Sequence, residues 1–110
     1  MRHPGLPDHP QHGLAKEQMD GFGAMLYFGV QKGLEGGRIL QNHVRLITMA
    51  VSLGGVESLI EHPASMTHAA VPREKRERAG ILDELVRLSV GCEDFADLWA
   101  DLDQALNKIP

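Results

Sequence analysis

Residues 85–90 read LVRLSV, a short apolar run with a single arginine in its middle. A run of this length and composition is typical of a β-strand. Side chains alternate between the two faces of a strand, so one face would carry the apolar residues Val86, Leu88 and Val90. Arg87 would point from the opposite face. The stretch therefore predicts a strand whose apolar face packs on helices and whose other face presents an arginine.

Arg87 needs an anionic partner, because burying an unpaired guanidinium in an apolar strand is costly. A guanidinium can hold a carboxylate through two parallel hydrogen bonds. Two kinds of partner fit the pattern. One is an internal carboxylate such as Glu57, which would make the arginine structural, and the other is the carboxylate of a ligand.

Residues 94–109 follow this strand and carry the clearest helical pattern of the chain. Apolar residues recur there at steps of three and four, which gives a helix one apolar face. They are Phe95, Leu98, Trp99, Leu102, Leu106 and Ile109. Asp94 and Asp97 lie near the N-terminal end, where negative charge is favourable. We expect this face, with Trp99, to lie in the core or in an interface.

Strand and helix patterns also alternate upstream of residue 85. They predict a short helix over residues 14–19, a strand over 24–30, a helix over 34–45, a strand over 46–51 and a charged helix from Pro72 to Gly80. Strands followed by helices indicate a small sheet with helices packed on it. The predicted fold class is α/β, in an α+β two-layer arrangement.

Size and charge narrow the function classes. The chain has 110 residues and a net charge of -4, which fits one domain and disfavours nucleic acid as a partner. No apolar run approaches the length of a membrane span, and the N-terminus lacks a signal-peptide pattern. Cys92 is the single cysteine, which suits a reducing cytoplasm. We therefore expect a cytoplasmic protein without membrane contact.

Polar residues follow the predicted strand over residues 46–51. Ser52 precedes Leu53 and two glycines, so its N–H and hydroxyl could bind a ligand oxygen, or could satisfy a local turn. Thr67 lies in a polar loop, residues 61–68, with His62 and His68. These histidines lack the spacing of metal ligands, so no metal site is expected.

The stretches VSLGGVESLIEHPASMTH, residues 51–68, and LVRLSVGCED, residues 85–94, are distinctive. Together with HPGLPDHPQHGLAKEQM, residues 3–19, they resemble the C-terminal part of the Cys/Met metabolism PLP-dependent enzymes. This family includes methionine γ-lyase, cystathionine γ-lyase, cystathionine γ-synthase and O-acylhomoserine sulfhydrylases. The resemblance implies the small C-terminal domain of a PLP-dependent transferase fold, with a short, mainly antiparallel sheet covered by helices on one face.

The resemblance also implies roles for individual residues. Arg87 matches the arginine that binds the substrate α-carboxylate, and Ser52 matches a serine that supports it. Thr67 matches a threonine that helps to position the arginine region. Val51 occupies a position that is typically acidic in the cystathionine enzymes. An apolar residue there favours an uncharged thioether tail, and so a methionine γ-lyase-like C–S lyase over a cystathionine enzyme or a sulfhydrylase.

The same resemblance implies that much of the enzyme lies elsewhere. Family members are several times longer, and their large domain holds pyridoxal 5'-phosphate on a lysine in a Ser-x-x-Lys setting. None of Lys16, Lys32, Lys75 and Lys108 has that setting. We therefore expect residues 1–13 to be a linker from a PLP-binding domain and residues 14–110 to be the carboxylate-binding domain. This chain alone would be inactive, and its partners would be the large domain, a sulfur-containing amino acid and further copies in a tetramer; a non-catalytic docking module is the alternative.

Overall fold

A computed structural model describes all residues from 1 to 110 and places four strands in one sheet. The strands are β1 (Met25–Gly29), β2 (Thr48–Met49), β3 (Leu59–Glu61) and β4 (Leu85–Ser89). Their order across the sheet is β1-β4-β3-β2. β4 pairs antiparallel with both β1 and β3, whereas β2 pairs parallel with β3 at the edge. The expected short, mainly antiparallel sheet is confirmed.

The chain also forms four α-helices. They are α1 (His12–Gln18), α2 (Gly33–His43), α3 (Arg73–Arg78) and α4 (Phe95–Leu106), and a 3-10 turn spans Pro63–Ser65. The predicted helices over 14–19, 34–45 and 94–109 are confirmed within a few residues at either end. Asp94 caps α4, because its carboxylate accepts the N–H of Ala96. None of the helices is long and apolar enough to cross a membrane.

One face of the sheet packs against α2 and α4 and forms the core. The buried apolar residues of this core are Val30, Leu40, Ile47, Ile60, Val86, Leu88, Leu98 and Ala105. Val86 and Leu88 alternate with Arg87, so Arg87 points from the opposite face, as the strand pattern predicts. We call that opposite face the open face of the sheet.

The predicted strand over residues 46–51 is wrong for most of its length, since only Thr48 and Met49 pair. The backbone N–H groups of Arg45, Leu46 and Ile47 donate instead to the carboxylate of Asp101 on α4. Three donors taken by one side chain cannot enter a strand ladder. A polar side chain from a distant helix therefore shortens the strand.

The charged segment 72–80 forms a shorter helix than expected, with Pro72 as its N-cap. The ion pairs Arg73–Glu77 and Arg78–Glu74 join neighbouring turns on its exposed side. Arg76 departs from this pattern, because it is buried and pairs with Asp83 at 2.6 Å.

The apolar face predicted for α4 is split between core and surface. Leu98 is buried, while Phe95 and Trp99 are 80% and 56% exposed. Phe95 and Trp99 line a groove of about 410 Å³ together with Met1, Leu26 and Phe28. We call this the apolar groove. Trp99 therefore does not lie in the core, and the other expected position, an interface, stays a prediction.

The N-terminal residues contact the sheet. The backbone of Arg2 exchanges two hydrogen bonds with Tyr27, which adds one pair to the free edge of β1. The ring of His3 hydrogen-bonds the carbonyl of Gly23, and the ring of His12 that of Pro4. The assignment of residues 1–13 as a linker stays a prediction.

Candidate functional site

Arg87 occupies the middle of β4, an inner strand that pairs with β1 on one side and β3 on the other. Tyr27 of β1 and Glu61 of β3 are its directly opposite residues in the two antiparallel pairs. Residues directly opposite each other in a sheet point to the same face. Tyr27, Arg87 and Glu61 therefore form a row across the open face.

The guanidinium of Arg87 is held by three acceptors within the chain. Nη1 lies 2.9 Å from a carboxylate oxygen of Glu61. Nη2 donates to the backbone carbonyls of Val51 at 2.8 Å and Ser52 at 3.0 Å. An internal carboxylate thus pairs with the arginine, but it is Glu61 and not Glu57. The side chain of Arg87 is still 25% exposed, on the open face, while that of Glu61 is 1% exposed.

Glu61 is braced on its other side by Thr67. The hydroxyl of Thr67 donates to the second carboxylate oxygen of Glu61, and its oxygen lies 2.8 Å from Nδ1 of His68. The chain returns to Glu61 within six residues because the 3-10 turn Pro63–Ser65 follows β3 almost at once. Together, Arg87, Glu61, Thr67 and the carbonyls of Val51 and Ser52 form what we call the arginine cluster.

The loop 50–58 brings Val51 and Ser52 to the cluster. β2 and β3 are parallel, so the chain between them must double back. It does so over the open face, where the N–H of Gly54 donates to the Ser89 hydroxyl oxygen at 2.9 Å. Gly54 has φ +75°, a conformation that favours glycine. Anchoring by Arg87 and Ser89 keeps the outgoing half of this loop against the sheet.

The returning half of the loop is fixed by the segment after β4. The carbonyl of Val56 accepts the N–H of Cys92 at 2.7 Å. Glu93 accepts from both the N–H and the hydroxyl of Ser58. The backbone hydrogen bond from Ser58 is the main reason that the pKa of Glu93 is lowered. An ionised Glu93 therefore holds the end of the loop at neutral pH.

The structure brings together all four residues that the sequence singles out. Ser52 and Val51 are exposed on the loop 50–58, Thr67 is exposed beside Glu61, and Arg87 joins them. Ser52 contributes its carbonyl to Arg87, and its N–H and hydroxyl form no hydrogen bond within the chain. The roles of these residues toward a ligand stay predictions.

The histidines near the cluster are committed to internal contacts. The buried ring of His62 hydrogen-bonds the hydroxyl of Ser65 at 2.7 Å and the carbonyl of Asp83 at 2.6 Å. No group of three or more His, Cys, Asp or Glu side chains is placed to hold a metal ion. The chemistry that the site offers is anion binding by a guanidinium.

Sequence reasoning missed Glu61 and Tyr27. The sequence predicts a polar loop at Glu61, although this residue ends a buried three-residue strand. The signal was the apolar pair Leu59 and Ile60 before it, which is too short to predict a strand with certainty. Tyr27 lies within a predicted strand, but its pairing with Arg87 depends on a register that one sequence does not reveal.

Comparison with known proteins agrees with this architecture. A family model described as Cys/Met metabolism PLP-dependent enzyme matches residues 1–107. L-methionine gamma-lyase from Fusobacterium nucleatum subsp. polymorphum is 55% identical over 97% of this chain and 27% of its own length. Cystathionine gamma-lyase from Dictyostelium discoideum is 54% identical over 96% of this chain and 27% of its own.

A solved structure also resembles this chain, in both fold and sequence. Cystathionine gamma-lyase from Lactobacillus plantarum, complexed with L-serine, superposes with a TM-score of 0.89 and 51% identity. The match covers 97% of this chain and 28% of that one. The chain thus spans about a quarter of the length of the relatives it matches. It belongs to the family of Cys/Met metabolism PLP-dependent enzymes.

Proposed function

We propose that the arginine cluster binds the α-carboxylate of a sulfur-containing amino acid in a PLP-dependent C–S lyase. The observation that carries this proposal is the combination of fixed orientation and partial exposure at Arg87. Its guanidinium is fixed by three acceptors and still partly exposed on the open face. Its Nε–H is buried without an acceptor in the chain. Buried donors without partners are uncommon, so this one needs an explanation.

The contribution of this chain to the reaction is to orient the amino-acid substrate. A guanidinium has five N–H donors, and three hydrogen bonds within the chain leave one on Nη1 and the buried Nε–H. Ser52 offers its N–H and hydroxyl on the neighbouring loop. A carboxylate held by Arg87 and Ser52 has a fixed direction, so the rest of the amino acid points one way. Such positioning lowers a barrier by removing the entropy of a mobile substrate.

The cofactor is held by residues outside this chain in our proposal. Pyridoxal 5'-phosphate supplies an electron sink for carbanions and is anchored by a lysine. No lysine amine contacts the arginine cluster, so the residues present here do not fit the cofactor by themselves. The relatives are about four times as long as the matched segment. We infer that this chain is the C-terminal portion of such an enzyme and is inactive alone.

Val51 bears on the substrate tail. It is 55% exposed and lies next to Ser52, so its side chain is available to a substrate held by the cluster. An apolar side chain suits a thioether and offers no partner to a distant ammonium group. We therefore favour γ-elimination from methionine over the reactions of a cystathionine γ-lyase, cystathionine γ-synthase or O-acylhomoserine sulfhydrylase.

A large domain is the partner that we propose for the apolar groove. Phe95 and Trp99 are too exposed and too close together to be incidental surface residues. The relatives carry nearly three quarters of their length outside the match, which supplies a covering surface. Association into a tetramer and a cytoplasmic location are part of the same proposal. A non-catalytic docking module that pairs with a separate PLP domain is the alternative to it.

A chimera tests the function directly. The matching segment of the Fusobacterium methionine gamma-lyase is replaced by this chain, and methionine cleavage is measured. Arg87→Lys keeps the charge and loses the planar fork. We expect kcat/KM to fall about tenfold to hundredfold, the effect of losing a hydrogen bond to a charged group. Cystathionine assayed in parallel reports the tail preference assigned to Val51.

Arg73→Lys is the matched control, because Arg73 is an exposed arginine on α3. It should leave methionine cleavage unchanged. Unchanged kcat/KM in Arg87→Lys as well would make the arginine a structural residue only. A chimera that binds PLP but never responds to methionine would exclude methionine as the substrate.

A further inference from the structure

We propose that Glu61 is a positioning residue, which fixes the guanidinium of Arg87 in the orientation needed to receive a substrate carboxylate. The inference rests on the proposed role of Arg87 and extends it to a residue that touches no substrate. It follows from the burial of Glu61, its register opposite Arg87 and its contact with Thr67.

Burial makes the pair obligatory for Glu61. A carboxylate that is 1% exposed cannot be hydrated, and an unpaired buried charge is strongly unfavourable. Arg87 and Thr67 are the groups that satisfy it, one on each oxygen. Glu61 therefore holds Arg87 whether or not a ligand is present.

The sheet register fixes the orientation of the Arg87 guanidinium relative to Glu61. Glu61 and Arg87 are directly opposite in antiparallel strands, so their backbones fix the distance between the side chains. Glu61 pairs with Nη1 of Arg87, and the carbonyls of Val51 and Ser52 accept hydrogen bonds from Nη2. Held at both terminal nitrogens, the guanidinium plane cannot rotate freely. Thr67 in turn prevents the Glu61 carboxylate from turning away.

The same contacts connect Glu61 to the loop that carries Val51 and Ser52. Arg87 joins Glu61 on β3 to the start of the loop 50–58. If Glu61 releases the guanidinium, the loop loses the donor that holds the carbonyls of Val51 and Ser52. The carboxylate-binding arginine and its supporting serine would then lose their alignment together.

Two variants separate positioning from charge. Glu61→Gln and Glu61→Ala both remove the negative charge beside Arg87, but only glutamine can still accept from Nη1 and contact Thr67. If only the charge of Glu61 mattered, both variants would lose the order of the Arg87 guanidinium and methionine affinity to the same extent. A positioning effect would appear in the alanine variant and be rescued by glutamine.

The experiment uses the 110-residue chain, isotope-labelled for nuclear magnetic resonance. The Nε–H signal of Arg87 reports the order of the guanidinium, and titration with methionine reports carboxylate binding. We expect an ordered signal in the wild type and in Glu61→Gln. In Glu61→Ala we expect a disordered signal and methionine binding about tenfold weaker. Losses of this size are found when a residue that orients a ligand-binding side chain is removed, as at metal sites.

Asp83→Asn is the matched control, since Asp83 pairs with the buried Arg76 away from the cluster. It should leave both readouts at their wild-type values. An ordered Arg87 and unchanged methionine binding in Glu61→Ala would overturn the positioning role while leaving the proposed function intact. An Arg87 signal that depends on Glu61 but never responds to methionine would support positioning and count against the proposed function.

Discussion

Arg87 pairs with the internal carboxylate of Glu61, which is one of the two kinds of partner that its sequence pattern predicts. An ion pair in a protein interior gains little net stability, because desolvation offsets the attraction. Replacing both partners by apolar residues would often be as stable. We therefore expect the Arg87–Glu61 pair to contribute little net stability to the fold.

Gly37 gives a stability prediction at the same scale. A Cβ at this position in α2 would overlap the ring of His62. His62 is fully buried and hydrogen-bonded through both nitrogens, so its ring cannot move aside. Gly37→Ala should destabilise the chain by about 1–3 kcal/mol through overpacking, in spite of the ~1 kcal/mol that alanine usually gains in a helix. Urea unfolding measures the difference.

Gly13→Ala is the control for this prediction, because a Cβ at Gly13 in α1 would meet no atom within 4 Å. That variant should be as stable as the wild type or slightly more so. Equal stability of the two alanine variants would mean that the His62 ring can be displaced without cost.

Among the elements, those with long regular patterns could be predicted and those set by distant contacts could not. β1, β4, α2 and α4 follow from apolar runs and helical spacing. β3 has only three residues and ends in Glu61, which reads as a loop residue until its partner Arg87 is known. The candidate site divides in the same way, since alternation predicts the direction of Arg87 but not the acceptors that surround it.

Asp101 joins two elements and gives a pH-dependent prediction. Burial alone would raise its pKa, but hydrogen bonds from the backbone of Ile47, Arg45 and Leu46 outweigh it and lower the pKa. A carboxylate with a lowered folded-state pKa stabilises the fold above its unfolded pKa, about 3.9, and loses that effect as pH falls through the folded value.

Asp101→Asn places an amide where three donors converge, which should cost about 1–3 kcal/mol at neutral pH. The difference from the wild type should narrow as pH falls below about 4, because the wild-type carboxylate is then protonated. Chemical unfolding across a pH series measures this. Asp103→Asn, an exposed position on the same helix, should change stability little at any pH. A stability difference for Asp101→Asn that does not vary with pH would refute the role of the charge.

At the scale of the whole molecule, the two faces of the sheet present different surfaces. The open face carries the arginine cluster and the loop 50–58, whereas the helical face ends in the apolar groove with Phe95 and Trp99. The relatives carry about three quarters of their length outside the match, and a domain of that size would be large enough to cover both. The groove is apolar and the open face is polar, so in the proposed enzyme we expect the groove to supply most of the binding energy of domain association and the open face to orient the substrate.

This division predicts the effect of making the groove polar. The complementary part of the Fusobacterium enzyme, expressed separately, should bind this chain, and Phe95→Ser with Trp99→Ser should weaken that binding at least ~30-fold, as expected for central aromatic anchors. Leu14→Ser, an exposed apolar residue on α1, should leave the affinity unchanged. Calorimetry of the mixture measures the affinity, and sedimentation of this chain alone reports self-association. If the doubly substituted chain bound as tightly as the wild type, the groove would not be the domain interface. If instead the wild-type chain dimerised through Phe95 and Trp99, the partner of the groove would be a second copy of this chain.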